Sequence, residues 1–222
     1  ALDARTGKIV WSSQALKDTF SYCSPILVEL AERKVIITHS RHNLYAVDVE
    51  DGQVLGSYFI DHYEYDGEHC NSPLFNDGNI YFIGNEKEDG AIKLALSDDG
   101  KELNLKWRNE KIKNNFNGFV KVDNHLFTTV KGNWLKALNV ENGTVTDSVK
   151  VATGSIIFAD KKFICYGMNG DVSLITYNEN EFDVKSTFKI HEGSGHHFAH
   201  PVLADGAMYI RHGNVLMAYK VK

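Results

Sequence analysis

Five copies of a short β-rich unit, recurring every roughly 40–50 residues, constrain this chain more than any other feature. Three copies carry a proline: SPILVE at Ser24–Glu29, SPLFNDGNIYF at Ser72–Phe82 and HPVLADGAMYI at His200–Ile210. Two more, FVKVDNHLF from Phe119 and IIFADKKFI from Ile156, fit without one. Aligned on the acid of the turn, they place Glu32, Asp77, Asp123, Asp160 and Asp205 at steps of 45, 46, 37 and 45 residues. The first copy needs a short insertion around Leu30 and Ala31.

A second motif runs in phase with the first. ALDARTGKIVW opens the chain, followed by AVDVEDGQVL from Ala46, LALSDDGKEL from Leu94 and ALNVENGTVT from Ala137. LITYNENEFD from Leu174 is a degenerate copy, and LMAYKVK from Leu216 ends the series. Its turn positions Gly7, Gly52, Gly100, Gly143 and Asn180 step by 45, 48, 43 and 37 residues. The Asp-Gly and Asn-Gly pairs supply the positive φ that tight hairpins demand. The Val/Ile/Phe/Tyr-rich runs between them read as strands, and no segment holds a 3.6-residue apolar period. ELAERK at 29–34 reads as a hairpin insertion rather than a helical turn. Each unit therefore has four strands, A and B around the acidic hairpin, C and D around the second turn. The expected class is all-β, a propeller of four-stranded antiparallel blades with about five repeats present.

Composition narrows the function. With 24 basic and 29 acidic residues the net charge is −5, and no Lys/Arg cluster offers a nucleic-acid footprint. No apolar run approaches the ~20 residues of a membrane helix. Three cysteines are too few for a disulfide framework. Nothing resembles a Ser-His-Asp elbow, a P-loop or a CxxC zinc pair.

ALDARTGKIVW, with Ala1, Asp3, Thr6, Gly7, Lys8 and Trp11, resembles the tryptophan-docking motif of the PQQ-like β-propeller repeat family. That family includes quinoprotein alcohol dehydrogenases, polyvinyl-alcohol dehydrogenase-like proteins and the propeller lipoprotein of the outer-membrane β-barrel assembly machinery. The resemblance implies that Trp11, and Trp107 in a later copy, stack between neighbouring blades, with Leu55 near the Trp position of the copy between them. It also implies a bacterial periplasmic or cell-envelope location. The expected blades are at about 20–60, 70–110, 116–150, 153–190 and 198–222, within one domain. Residues 1–14 are expected to be either a ring-closing strand or the remnant of a preceding blade. The chain starts in mid-motif without Met and its last copy lacks a D strand. It therefore reads as the C-terminal part of a seven- or eight-bladed propeller, with a closed five-blade ring as the other reading.

Strand order sends the A–B and C–D turns to one face and the B–C and D–A loops to the other. Nine of the ten histidines fall on the second face, and only His125 does not. The candidate binding face comprises Arg41, His42, His69, Trp134, His196, His197, His200, Arg211 and His212, joined by His39, Cys23, Cys70, Tyr22, Tyr63, Tyr65, Phe116 and Phe198. Polar and aromatic loops on a rigid β scaffold are where binding sites form. In GSGHHFAHP at 193–201, rim histidines are the plainer reading. A transition-metal set of His196, His197 and His200 with His69 or Cys70 is the sharper one. Cys23 and Cys70 precede consecutive A strands by similar distances, so they read as a disulfide or as unpaired rim thiols. Asp61, Glu64, Asp66 and Glu68 form a solvated acidic loop that fits no EF-hand spacing. Asn142-Gly143-Thr144 is a formal glycosylation sequon that coincides with a hairpin turn.

No catalytic residues are assigned. The leading expectation is a non-catalytic scaffold that uses this face to bind a protein, peptide or glycan partner, with no cofactor. The second reading is a PQQ-dependent dehydrogenase-like oxidoreductase, which would need PQQ, calcium ligands and an Asp base. The adjacent cysteines frequent in such enzymes are absent from the sequence.

Overall fold

The turn chemistry read above produces five antiparallel meanders in the computed structural model, which describes residues 1–60, 69–84, 90–114 and 116–221. The acidic loop residues Asp61, Glu64, Asp66 and Glu68, with His62, Tyr63 and Tyr65, lie outside the described residues. The chain divides into two compact units, Ala1–Asn115 and Phe116–Lys222.

The first unit holds two four-stranded sheets. One is β1 (Ile26–Glu29), β2 (Lys34–His39), β3 (Asn43–Asp48) and β4 (Val54–Phe59); the other is β5 (Leu74–Asn76), β6 (Asn79–Ile83), β7 (Ala91–Leu96) and β8 (Leu103–Asn109). The insertion at ELAERK is a four-residue turn in which Leu30 N–H donates to Arg33 O at 2.8 Å. Between the sheets lies a core of Val28, Val35, Ile37, Leu44, Ile80, Phe82, Ile92 and Leu94. Burial of such side chains is worth ~1.5–3 kcal/mol each and is the main force holding the sheets face to face.

The second unit holds β9 (Phe119–Val122), β10 (His125–Val130), β11 (Trp134–Asn139) and β12 (Val145–Lys150), then β13 (Gly154–Ala159), β14 (Lys162–Gly167), β15 (Asp171–Asn178) and β16 (Glu181–Lys189). A three-stranded sheet follows, β17 (Val202–Ala204), β18 (Ala207–His212) and β19 (Val215–Lys220). β14 shows why inner strands read as unbroken apolar runs. Phe163 and Cys165 enter the core shared with β10 and β11, while Ile164 and Tyr166 enter the core shared with β18. Alternation places them on opposite faces, and both faces are covered. The outer strand β16 has one covered face at most, and eight of its nine residues are exposed.

Every four-stranded sheet shifts register at one point between its third and fourth strands: at Ala46/Val47, Lys93/Leu94, Ala137/Leu138 and Leu174/Ile175. A bulge there increases the local twist of the outer strand. Blade-to-blade docking recurs in the first unit. Trp11 Nε1 donates to Val49 O at 2.8 Å, and its ring lies where a Cβ on Gly52 (φ +77°) would stand. One sheet further on, Leu55 packs against the turn of Gly100. Trp107 on β8 is buried. No helix among the described residues is long and apolar enough to cross a membrane.

Candidate functional site

At the loop end of the first unit the organising residue is Asp18, whose side chain is 6% exposed. Oδ2 accepts from the Ser40 hydroxyl, from His42 N–H at 3.1 Å, from Asn43 Nδ2 at 3.1 Å and from Tyr45 OH at 3.2 Å. Arg41 N–H also donates to Thr19 O at 2.9 Å. Asp18 thus ties the irregular segment before β1 to the β2–β3 loop. Burial opposes its charge, but the donors from Ser40, Asn43, Thr19 and His42 outweigh that and hold its pKa below the ordinary value. The tie leaves Phe20 and Tyr22 in solvent, 74% and 61% exposed, with their rings edge to face at 5.7 Å. Arg41 and His42, in the β2–β3 loop, are half-buried, and the His42 ring lies parallel to Phe59 at 6.1 Å.

His39, at the end of β2, is buried. Its Nδ1 lies 3.1 Å from Ser40 O and its Nε2 lies 3.0 Å from Asn71 O. Carbonyl oxygens only accept, so both contacts are hydrogen bonds only when both nitrogens carry protons. Cys23 completes the corner, its Sγ within 3.3 Å of Ser21 Oγ and 3.6 Å of Thr38 Oγ1. Burial works against a charge on either group. Their mutual contact nevertheless raises the His39 pKa and brings the Cys23 thiol down to about 6. The buried His69 ring meets His39 edge-on at 5.8 Å.

The second unit builds its loop end around another histidine at the end of a B strand. His212, on β18, has Nδ1 2.6 Å from Glu192 O and Nε2 3.0 Å from Gly195 O. Gly193 (φ +89°) permits this wrap, because a Cβ there would meet the His212 backbone and ring. His197 stacks on His212 with centroids 3.6 Å apart and its Nδ1 bonds the Tyr166 hydroxyl. Burial first, then the charges of His212 and Lys189, keep the His197 pKa below its ordinary value.

The histidines of GSGHHFAHP diverge. His196 stacks on Phe198 at 4.8 Å, and Phe198 meets Phe116 at 4.9 Å. His200 backs onto Gly118. Arg211 Nε donates to Gly213 O at 3.0 Å, and Trp134 carries Lys150 Nζ 4.0 Å above its ring. Among the described residues no three His, Cys, Asp or Glu side chains are placed to hold a metal ion. Cys23 and Cys165 are free thiols.

Sequence reasoning placed Arg41, His42, His69, Trp134, His196, His197, His200, Arg211 and His212 on one face; the first three lie in the first unit and the other six in the second. It missed Asp18 and Phe20, which lie in a stretch with no periodicity, and Tyr166, which reads as ordinary core. At the opposite, turn end of the second unit lies a cavity of about 510 Å³, floored by Phe127, Phe163 and Tyr177 and edged by Asn124, Lys161 and Asn180.

Repeated four-stranded meanders with covered inner faces and irregular loops at one end define a PQQ-like β-propeller protein. The family model described as outer membrane protein assembly factor BamB matches residues 1–160, and the chain belongs to that family. The fold is shared with BamB from Moraxella catarrhalis, at 15% identity and a TM-score of 0.65, over 99% of this chain and 63% of that one. It is also shared with two computationally designed proteins. Ika8 matches at 8% identity and a TM-score of 0.56, covering 97% of this chain and 75% of its own. Ika4 matches at 11% and 0.56, covering 76% and 97%. This chain thus spans less than two thirds of the BamB structure. No curated protein matches the sequence.

Proposed function

We propose that this chain is a non-catalytic scaffold that docks a protein partner in outer-membrane protein assembly, at the bacterial cell envelope, through the B–C and D–A loops. Family membership supports the setting. The observation that carries the docking mode is the Phe20–Tyr22 pair, two large exposed aromatics on a segment fixed by a buried carboxylate. Rigid aromatic anchors concentrate binding energy because they bury much area while losing little side-chain entropy. His39 in this unit bonds backbone carbonyls and shapes its loops, which suits a docking surface better than a reaction centre.

The test is capture of assembly-machinery components from an envelope extract by the tagged protein. Phe20→Ala with Tyr22→Ala should reduce capture at least tenfold, as loss of two hot-spot aromatics does. The far-UV spectrum and unfolding midpoint should stay unchanged. Undiminished capture by a folded double variant would overturn the assignment of this loop end.

A further inference from the structure

His125 is the histidine that strand order sends to the turn end, where docking through the loops leaves it unused. It lines the cavity of about 510 Å³ in the second unit, a size within the roughly 300–1,000 Å³ of small-molecule sites. Three two-residue hairpin turns surround it: Asp123-Asn124 between β9 and β10, Asp160-Lys161 between β13 and β14, and Glu179-Asn180 between β15 and β16. Asp123, Asp160, Lys161, Glu179 and Asn180 hold positive φ, from +48° to +65°, as such tight reversals require. The floor is aromatic. Phe127 lies 4.4 Å from Phe163 and 4.9 Å from Tyr177 between ring centroids, and Phe158 lies 4.7 Å from Phe163. The His125 ring meets Tyr177 edge-on at 5.3 Å, and the Tyr177 hydroxyl is held by Thr146 Oγ1 at 3.1 Å. Phe127 and Phe163 belong to the buried core, so the floor is pre-formed, while the Phe158 ring is exposed at its edge.

The rim carries both signs of charge and both hydrogen-bonding roles. Asp123 and Glu179 accept, Lys161 donates, and the amides of Asn124, Asn178 and Asn180 do both. Burial first, against the charge of Asp123, keeps the His125 pKa below its ordinary value. At neutral pH its ring is therefore an uncharged imidazole with one donor and one acceptor. This lining selects among ligands. An apolar ligand would cover the floor but strip water from the rim and give no hydrogen bond in return. A quaternary ammonium group suits the rings and the two carboxylates but meets Lys161. An anion suits Lys161 but meets two carboxylates. A neutral pyranose carries C–H groups on its faces and hydroxyls, each both donor and acceptor, around its edge. It matches the electron-rich ring faces below and the mixed rim above.

We propose that this cavity is a saccharide-binding site, which takes a neutral pyranose unit with its C–H groups against the aromatic floor and its hydroxyls on the polar side chains of the turns. Phe158 supplies the accessible ring, and Asn180 and Lys161 supply hydrogen bonds at the edge. The site belongs wholly to the second unit and the Phe20–Tyr22 pair to the first, so failure of either assignment leaves the other standing.

The experiment titrates the full chain separately with glucose, galactose, N-acetylglucosamine and cellobiose, and in two further arms with tetramethylammonium and inorganic phosphate. Proton NMR follows the His125 Cε1–H signal and saturation transfer from protein to ligand. Expected is a saturable, millimolar shift of the His125 signal by at least one saccharide, with transfer strongest at its ring C–H protons. Phe158→Ala should weaken that binding about tenfold, the worth of one aromatic contact. Asn180→Gly removes the amide yet keeps the positive φ, and should weaken it about fivefold, the worth of one hydrogen bond. Both variants should keep the unfolding midpoint of the wild type, and Asn180→Gly carries the test where Phe158→Ala fails to fold. A His125 signal that no saccharide moves, or binding that both variants leave intact, would overturn the site. A response to tetramethylammonium or phosphate in place of the saccharides would overturn the ligand class.

Discussion

His39 and His212 close the second strand of their sheets in the same way, buried and with both ring nitrogens against backbone carbonyls, yet their neighbours differ in kind. His39 has an acid beside it, the Cys23 thiol. His212 has another imidazole stacked on it, that of His197. The same repeat position thus faces a thiol in the first unit and a second imidazole in the second. The lesson is that a histidine-rich loop end is not one electrostatic environment. The carbonyls that hold each ring are alike, and the group packed beside the ring is what differs.

The largest expected difference between the two ends is mechanical. Asp18 gathers four donors at one carboxylate oxygen, whereas the Tyr166 hydroxyl bonds the single imidazole of His197. Asp18→Ala should cost ~3 kcal/mol in denaturant unfolding, since it strands four half-buried or buried partners of a charged acceptor. Rapid proteolysis within the segment before β1 should accompany it. Tyr166→Phe should cost only ~1 kcal/mol. Equal costs would break the comparison.

A smaller effect concerns pH. His197 has a folded pKa below its unfolded value, so its contribution to stability is complete above pH 6.5. That contribution is lost as pH falls through the lowered pKa. His39 has the opposite sign. Its contribution is complete below 6.5 and is lost as pH rises through its raised folded pKa. The Cys23 contribution is complete above the unfolded thiol value of 9 and is lost as pH falls through about 6. Proton NMR of the imidazole Cε1–H signals should therefore show His39 titrating above 6.5 and His197 below it. A His39 midpoint below that of His197 would contradict the opposite directions of the two shifts.

The sheets were legible because turn chemistry repeats. Asp77-Gly78 and Asp205-Gly206, with Asp123 and Asp160 at the same place, fix where each first hairpin reverses, and all four Asp adopt positive φ near +49°. The register shifts between third and fourth strands were not legible, because the four positions share no residue pair that marks a bulge. The loop ends were half legible. Histidines stand out by type, but the stack of His197 on His212 depends on a glycine wrap that no periodicity encodes. Asp18 is a lone acid until the fold brings Ser40, Asn43 and Tyr45 to it. Its role depends on contacts 22 to 27 residues away along the chain.

The central claim is that partner docking uses the loop end of the first unit. A photo-crosslinking residue placed at Tyr22, in the loops, or at Asn180, in a turn, tests it within intact cells. Docking through the loops gives a discrete crosslinked protein from position 22 and none from position 180. Crosslinks from position 180 alone would contradict it.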